Sequence, residues 1–210
     1  WGPNHPDVAQ TVNNLASSAI GLGNLDDAQR YADRSMAIRL ETIGAEHPDV
    51  ADHLHALGSQ RIRHGEYELA KADLLEALEI RQAQPTPVGV DVVHTLVGLG
   101  SLHYYTGEFA VSADYYERAL ELADRSYAPG HPELATISQG YGLACLGQGD
   151  LDKARRVMKR TVDLVRDGDP ALLGSALVEL ARVDAIDGRW EDARATLNES
   201  IAVQEAAGRA

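Results

Sequence analysis

The 210-residue sequence is poor in cysteine, aromatic residues and basic side chains, and each shortage argues against a class of protein. A single cysteine, Cys145, cannot form an internal disulfide, which favours a reducing compartment and predicts a cytoplasmic protein. Nineteen Lys and Arg against 32 Asp and Glu leave a net charge of −13, so we expect no nucleic-acid partner. No apolar run approaches the roughly 18 residues that a membrane span needs, so we expect no membrane partner. Aromatic residues make up only 5%, which favours close helix packing over a β-sandwich.

A repeat of 42 residues runs through the sequence. The string His-Pro-Asp-Val-Ala at residues 5–9 recurs at 47–51 and returns in altered form at 131–135. Turn glycines keep the same step, with a last step of 39 residues: Gly23, Gly65, Gly107, Gly149 and Gly188. Apolar residues at helical spacing before and after each glycine predict a pair of helices in every unit. We therefore predict one domain, 1–210, with repeats at about 5–46, 47–88, 89–130, 131–169 and 170–210, and no separate catalytic domain.

Small residues occupy three fixed positions in every unit, where they would let two helix backbones approach closely. The first column is Ala16, Gly58, Gly100, Gly142 and Ala181. The second is Ala28, Ala70, Ser112, Ala154 and Ala193, and the third is Ser35, Ala77, Ala119, Thr161 and Ser200.

At these residues the sequence resembles the tetratricopeptide repeat. The third unit matches that pattern most fully, through Leu96, Leu99, Gly100, Gly107, Phe109, Tyr116 and Ala119. The 42-residue period and the His-Pro-Asp-Val-Ala string are similar to the kinesin-light-chain type of the repeat. The resemblance implies an all-α fold, a right-handed superhelical solenoid of five helix-turn-helix repeats. It also implies a protein–protein interaction module rather than an enzyme, with no cofactor, which binds a peptide or helical segment in a concave groove.

The register of the family predicts which side chains of the first helices face that groove: Asn13, Asn14, Ser17, His55, Ser59, Arg63, His94, Ser101, Tyr105, Gln139 and Arg182. Amide side chains both donate and accept hydrogen bonds, so they suit an extended peptide of varied sequence. Arginine suits an acidic group, whereas the negative net charge favours a basic peptide overall. The identity of the protein partner is left open by these residues.

A second hypothesis comes from the ends of the sequence. Residues 1–4, Trp-Gly-Pro-Asn, parallel residues 43–46 and look like the closing loop of a preceding unit. The last unit is followed by no polar capping helix, so we expect either an array cut from a longer chain or self-association through uncapped ends. On this hypothesis the array is a scaffold or regulatory segment of a larger signalling protein, such as a kinase or a nucleotide-dependent switch.

Three features invite chemical interpretations, and a structural one is preferred for each. His-Pro-Asp is also the signature of J-domain co-chaperones, but here it precedes a predicted helix each time and predicts a helix start. The only histidine cluster with metal-binding potential is His55, His94 and Asp52, and its spacing lacks any zinc motif, so we predict no metal site. Cys145 is expected to be a buried thiol rather than a nucleophile.

Overall fold

A computed structural model describes residues 5–85 and 89–208, and these residues form ten α-helices and no strand. The first four helices are α1 Pro6–Gly21, α2 Leu25–Ile43, α3 Pro48–His64 and α4 Tyr67–Ala83. The other six are α5 Gly89–Tyr105, α6 Phe109–Ser126, α7 Pro132–Gln148, α8 Leu151–Val165, α9 Pro170–Ile186 and α10 Trp190–Ala207. The predicted all-α class and the predicted helix pair in each unit are confirmed. Within the described ranges, none of the helices combines the length and apolar character needed to cross a bilayer.

The helices fall into two compact structural units, each larger than one repeat: unit 1 is residues 1–87 and unit 2 is residues 88–210. In the first unit α1 packs on α2, and α3 packs on α4. In the second unit α5, α7 and α9 pack on α6, α8 and α10 respectively, and α7 and α9 also pack on the second helix of the preceding pair. The grouping of all five repeats into one continuous domain stays a prediction. The proposed closing loop at residues 1–4 lies outside the described residues.

Each His-Pro-Asp or His-Pro-Glu string begins a first helix, as the sequence predicts. Pro6, Pro48 and Pro132 are the first residues of α1, α3 and α7. The preceding histidine caps the helix, because its Nδ1 accepts a hydrogen bond from the backbone N–H two residues on. The Nδ1 to N distance is 3.2 Å at His5, 3.1 Å at His47 and 3.2 Å at His131. Asp169 caps α9 in the same way with its carboxylate. These contacts account for the motif through helix capping alone.

Glycine ends the first helices because the chain there needs a left-handed residue. Gly65 has a φ of 78° and its N–H reaches the carbonyls of Arg61 and Ile62. The other four turn glycines also have positive φ. The second helix then begins two residues later, at a large apolar residue in every unit.

The fifteen small residues of the three columns are all buried. All four column hydroxyls donate a hydrogen bond to the first helix of their own pair. Ser35 Oγ donates to the Ala9 carbonyl at 2.9 Å and Ser112 Oγ to the Gly100 carbonyl at 2.7 Å. Ser200 Oγ donates to the Gly174 carbonyl at 2.9 Å and Thr161 Oγ1 to Ser138 Oγ at 3.0 Å. A Cβ added at Gly100 would lie 2.9 Å from the Tyr116 ring of α6. The close helix approach that the columns predict is therefore present within each pair.

Candidate functional site

The first helices of unit 1 present polar side chains on one connected face. Ser17 of α1 accepts a hydrogen bond at 3.1 Å from Gln60 Nε2 of α3, which joins the two helices on this face. Asn14 is exposed, and its Oδ1 accepts from Gln10 Nε2 at 3.2 Å. Among the other predicted groove residues here, Arg63 is exposed, whereas Asn13, His55 and Ser59 are half-buried. The structure thus brings the α1 and α3 members of the predicted set onto neighbouring helices.

A polar cleft of about 210 Å³ opens beside Asn13. It is lined by Gln10, Asn13, Arg39, Asp49, Asp52, His53 and Ala56. Two of its charged side chains contact neighbouring side chains. Arg39 Nη2 donates a hydrogen bond to Gln10 Oε1 at 3.0 Å, and Asp52 Oδ1 forms an ion pair with Arg81 at 2.6 Å.

His53 forms the buried wall of this cleft, with 4% of its surface exposed. Burial, reinforced by the charge of Arg39, lowers the pKa of the His53 imidazole from 6.5 to about 4. The imidazole is therefore neutral at physiological pH.

In unit 2 the predicted groove residues of α5 differ in their internal contacts and in their exposure. His94 Nε2 lies 3.2 Å from the Tyr127 hydroxyl, and Ser101 Oγ lies 2.8 Å from the Tyr116 hydroxyl. Tyr105 is 62% exposed and meets Tyr104 edge to face. Of the three, Tyr105 offers most of its surface to a ligand.

The predicted residues of α7 and α9 also differ in availability. Gln139 is half-buried and lines a cleft between the two helices. Arg182 is exposed, but its Nη2 pairs at 2.6 Å with Glu179 Oε2, one helical turn away. A carboxylate ligand would therefore have to compete with Glu179 for Arg182.

The cleft between α7 and α9, named here the α7–α9 cleft, was not predicted from the sequence. Its volume is about 260 Å³ and its walls are mainly apolar. The lining comprises Gly130, Pro132, Ala135, Thr136 and Gln139, then Thr161, Leu164, Val165, Gly168 and Asp169, and Leu172, Ser175 and Ala176. The repeat alignment carried a signal for it, because Ala176 stands 39 residues after the larger Ile137.

One column near the end of the first helices is buried in all five repeats, and in three of them it carries a charged or imidazole side chain. Its members are Ala19, Arg61, His103, Cys145 and Asp184. Arg61 Nη1 pairs with Asp73 at 2.5 Å, and Asp184, 1% exposed, pairs with Arg155 of α8. Burial outweighs the attraction of Arg61 and raises the pKa of Asp73 to about 6. His103 stacks on Tyr115 with ring centroids 5.4 Å apart. Each of these groups is engaged in helix packing.

Cys145 is fully buried, as predicted, and burial raises the pKa of its thiol to about 11. A protonated thiol without access to solvent is a poor nucleophile. In residues 5–85 and 89–208, moreover, three metal-ligating side chains are nowhere grouped closely enough to hold an ion.

Comparison with solved structures shows the same fold. The nearly identical TPR-like repeats of a kinesin-light-chain candidate from Podosopora anserina superpose with a TM-score of 0.84 at 18% identity, covering 98% of this chain and 99% of that one. BtubC (BKLC) from P. vanneervenii gives 0.85 at 19% identity, covering 97% and 82%. MamA from Desulfovibrio magneticus RS-1 gives 0.70 at 17% identity, covering 94% and 96%. No curated protein matches the sequence.

Family models agree with the structural comparison. One tetratricopeptide repeat model matches residues 2–83 and 91–167, and a second matches residues 174–199. Most of the sequence is thus covered, including every residue of the three small-residue columns except Ser200. The chain belongs to the tetratricopeptide repeat family, whose repeats are in general non-enzymatic modules for protein–protein interaction.

Proposed function

We propose that the outward faces of the first helices bind an extended segment of a partner protein. The observation that carries this proposal is a pair of columns that stays accessible in every repeat. One column is Asn13, His55, Val97, Gln139 and Val178, and the other is Ser17, Ser59, Ser101, Leu143 and Arg182. All ten residues are half-buried or exposed, whereas the three small-residue columns of the same repeats are buried.

The chemistry of the two columns suits a peptide backbone. Amide, hydroxyl and imidazole groups donate or accept hydrogen bonds without demanding a particular side chain, and Val97, Leu143 and Val178 supply apolar contacts between them. The other predicted groove residues, Asn14, Arg63, His94 and Tyr105, lie on the same helices and are further candidate contacts. A basic segment is favoured because the net charge of the protein is −13.

The test selects ligands directly. A random twelve-residue peptide library displayed on phage is panned against the immobilised protein, and selected peptides are measured by fluorescence anisotropy. Asn13→Ala combined with His55→Ala, or Gln139→Ala, should weaken binding by about tenfold without lowering the melting temperature. The matched control is Asn198→Ala on the exposed surface of α10. Equal binding by all variants would count against the proposal.

Self-association is the second candidate, and it would fit a scaffold or regulatory role in a larger signalling protein. Leu197 and Ile201 of α10 are exposed, whereas Met158 and Val162 at the same positions of α8 are buried. α8 packs against α9, the first helix of the following repeat, as well as against α7. We propose that a first helix of a second copy packs in the same way against α10. Light scattering should then show a mass that rises with concentration, and Leu197→Asp should abolish the rise. A constant mass at every concentration would exclude this candidate.

A further inference from the structure

The α7–α9 cleft has the size and lining of a side-chain pocket. A volume of about 260 Å³ exceeds the roughly 150 Å³ that suffices to hold a benzene ring in an apolar cavity. Leu164 and Val165 of α8 line it, together with Leu172 of α9, which is 53% exposed. Gln139 of the proposed peptide-binding face also lines it, so the cleft adjoins that face.

At the preceding junction of unit 2, between α5 and α7, the corresponding place is filled by the ring of Tyr127. Its hydroxyl lies 3.2 Å from His94 Nε2, and its ring stacks on His131 with centroids 4.3 Å apart. Thr136 occupies the same position in its repeat as His94 does one repeat earlier. His131 and Asp169 are both the N-caps of first helices. Thr136 and Asp169 are both walls of the α7–α9 cleft, so the two places correspond.

Three sequence differences leave the corresponding position in the α7–α9 cleft open. Arg166 stands where Tyr127 does, and its guanidinium pairs at 2.8 Å with Glu199 of α10. The loop between α8 and α9 is also one residue shorter than the loop between α6 and α7. In addition, Ala176 replaces the buried Ile137, which removes three carbon atoms from one wall. Among the residues that the structure describes, no side chain therefore fills this cleft, whereas an aromatic ring fills the equivalent position one repeat earlier.

We infer that the α7–α9 cleft binds one aromatic side chain, a tyrosine or phenylalanine, of the partner segment. This inference rests on the proposed function and adds a specificity pocket to it. The apolar walls supply the contact, and the Gln139 amide lies beside the ligand backbone where it can bond a peptide group. The occupant is aromatic because the equivalent place within the protein is occupied by an aromatic ring.

The first experiment uses a small probe and the whole protein. N-acetyl-L-tyrosinamide is titrated into protein with 13C-labelled Leu, Val and Ala methyl groups, and N-acetyl-L-alaninamide serves as the comparison probe. The tyrosine probe should shift the methyl signals of Leu164, Val165, Leu172 and Ala176, and the alanine probe should not. Absence of shifts up to the solubility limit of the probe, or shifts centred elsewhere, would overturn the inference.

Variants that fill the cleft provide the control. Ser175 and Thr136 are exposed and line opposite walls, so Ser175→Trp and, independently, Thr136→Trp should occupy the cleft and abolish the probe shifts. Lys159→Trp adds the same ring on the exposed face of α8, outside the lining, and should leave the shifts unchanged. Two Trp variants are used so that misfolding of one, detected by circular dichroism, does not decide the result.

The selected peptides separate this inference from the proposed function. Peptides should be enriched in Tyr or Phe and should bind about tenfold more weakly to Ser175→Trp than to Lys159→Trp. Peptides that lose affinity with Asn13→Ala and His55→Ala, but bind Ser175→Trp normally, would support the proposed function and overturn the pocket. A library that yields no binder, together with probe shifts in the cleft, would support the pocket and contradict the wider peptide-binding face.

Discussion

Single glycines decide how closely the paired helices of each repeat approach. At three positions of the first column a Cβ atom would meet a side chain of the second helix, at 2.8 Å for Gly58 and Leu74, 2.9 Å for Gly100 and Tyr116, and 2.7 Å for Gly142 and Met158. The chemistry of the opposing side chain differs, and this difference makes the cost of a substitution predictable.

Gly100→Ala should destabilise the protein more than Gly142→Ala. The Tyr116 ring is held by Ser101 and lies against Gly140, so an added methyl at residue 100 overpacks the contact and costs about 1–3 kcal/mol. The Met158 chain is flexible, and the gain of about 0.5–1 kcal/mol in helix propensity should offset its displacement. Urea unfolding measures both variants. A larger loss for Gly142→Ala would contradict the role assigned to the rigid ring.

His53→Leu should make the stability of the protein less sensitive to acid. The folded pKa of His53 is about 4 and the unfolded value is 6.5, so its neutral form favours folding above pH 6.5 and this contribution is lost as the pH falls towards 4. We expect a loss of about 2 kcal/mol between pH 7 and pH 5 from this group. Asp73, with its folded pKa raised to about 6, acts in the opposite direction over the same range.

The test compares each variant with the wild type. Asp73 is present in every protein, so its contribution to the pH dependence cancels in the difference. Unfolding free energies are determined in urea at pH 7 and pH 5 for the wild type, His53→Leu and the control His64→Leu, which removes an exposed histidine. Only His53→Leu should reduce the acid-induced loss. The same pH dependence in all three proteins would show that His53 does not control it.

At the scale of helices, the sequence predicted most of the fold because helix starts, turns and contacts repeat with the same residues. Proline, turn glycine and the small columns recur at fixed offsets, so each helix pair could be placed by several independent signals. The α7–α9 cleft could not be placed, because it arises from the loss of side chains at two positions and a loop one residue shorter. An empty space between helices can be recognised only when the positions of the neighbouring helices are known. Likewise, the engagement of Ser101 and Arg182 depends on partners that the family register does not specify.

The packing of α8 against α9 includes an ion pair between Arg155 and Asp184, and the preceding repeat has no charged residue at these two positions. Arg155→Met would leave the buried Asp184 without its guanidinium partner and should cost about 3–5 kcal/mol. At the same two positions one repeat earlier stand Ala113 and Cys145, so Arg155→Met combined with Asp184→Ala should recover most of that loss. Arg160→Met, which removes the exposed pair with Asp124, is the control and should cost at most about 1 kcal/mol. Failure of the double variant to recover stability would refute this account.

Removing the Tyr127 ring should open a second aromatic-sized cleft in unit 2. Tyr127→Ala loses the stack on His131 and the contact with His94, at an expected cost of about 1–3 kcal/mol, whereas Tyr127→Phe keeps the ring and should cost about 0.5–1.5 kcal/mol. Leu122 and Val93 stand one repeat before Leu164 and Ala135, which line the α7–α9 cleft. In Tyr127→Ala, N-acetyl-L-tyrosinamide should shift the methyl signals of Leu122 and Val93 in addition to those of the α7–α9 cleft. Unfolding in urea and methyl spectra check the two effects, and an unchanged set of shifts would argue that the two junctions do not correspond.

At the scale of the whole molecule, the dominant property is the excess of acidic side chains. The charges that form ion pairs, such as Arg61 with Asp73, cancel locally, but the net charge of −13 does not. A field of one sign attracts ligands of the opposite sign before any contact forms. The charge excess therefore bears on the rate of association rather than on the choice of pocket.

Association with a basic peptide should slow as salt is added. For a selected peptide that carries several Lys or Arg residues, the association rate constant measured by stopped-flow fluorescence should fall about tenfold between about 20 and 200 mM NaCl, because screening shortens the reach of the field. The dissociation rate should change much less, since apolar contacts and hydrogen bonds hold the bound peptide. The same peptide with its basic residues replaced by Ala should associate slowly at every salt concentration. A salt dependence confined to dissociation would mean that local ion pairs, and not the overall charge of the protein, govern recognition.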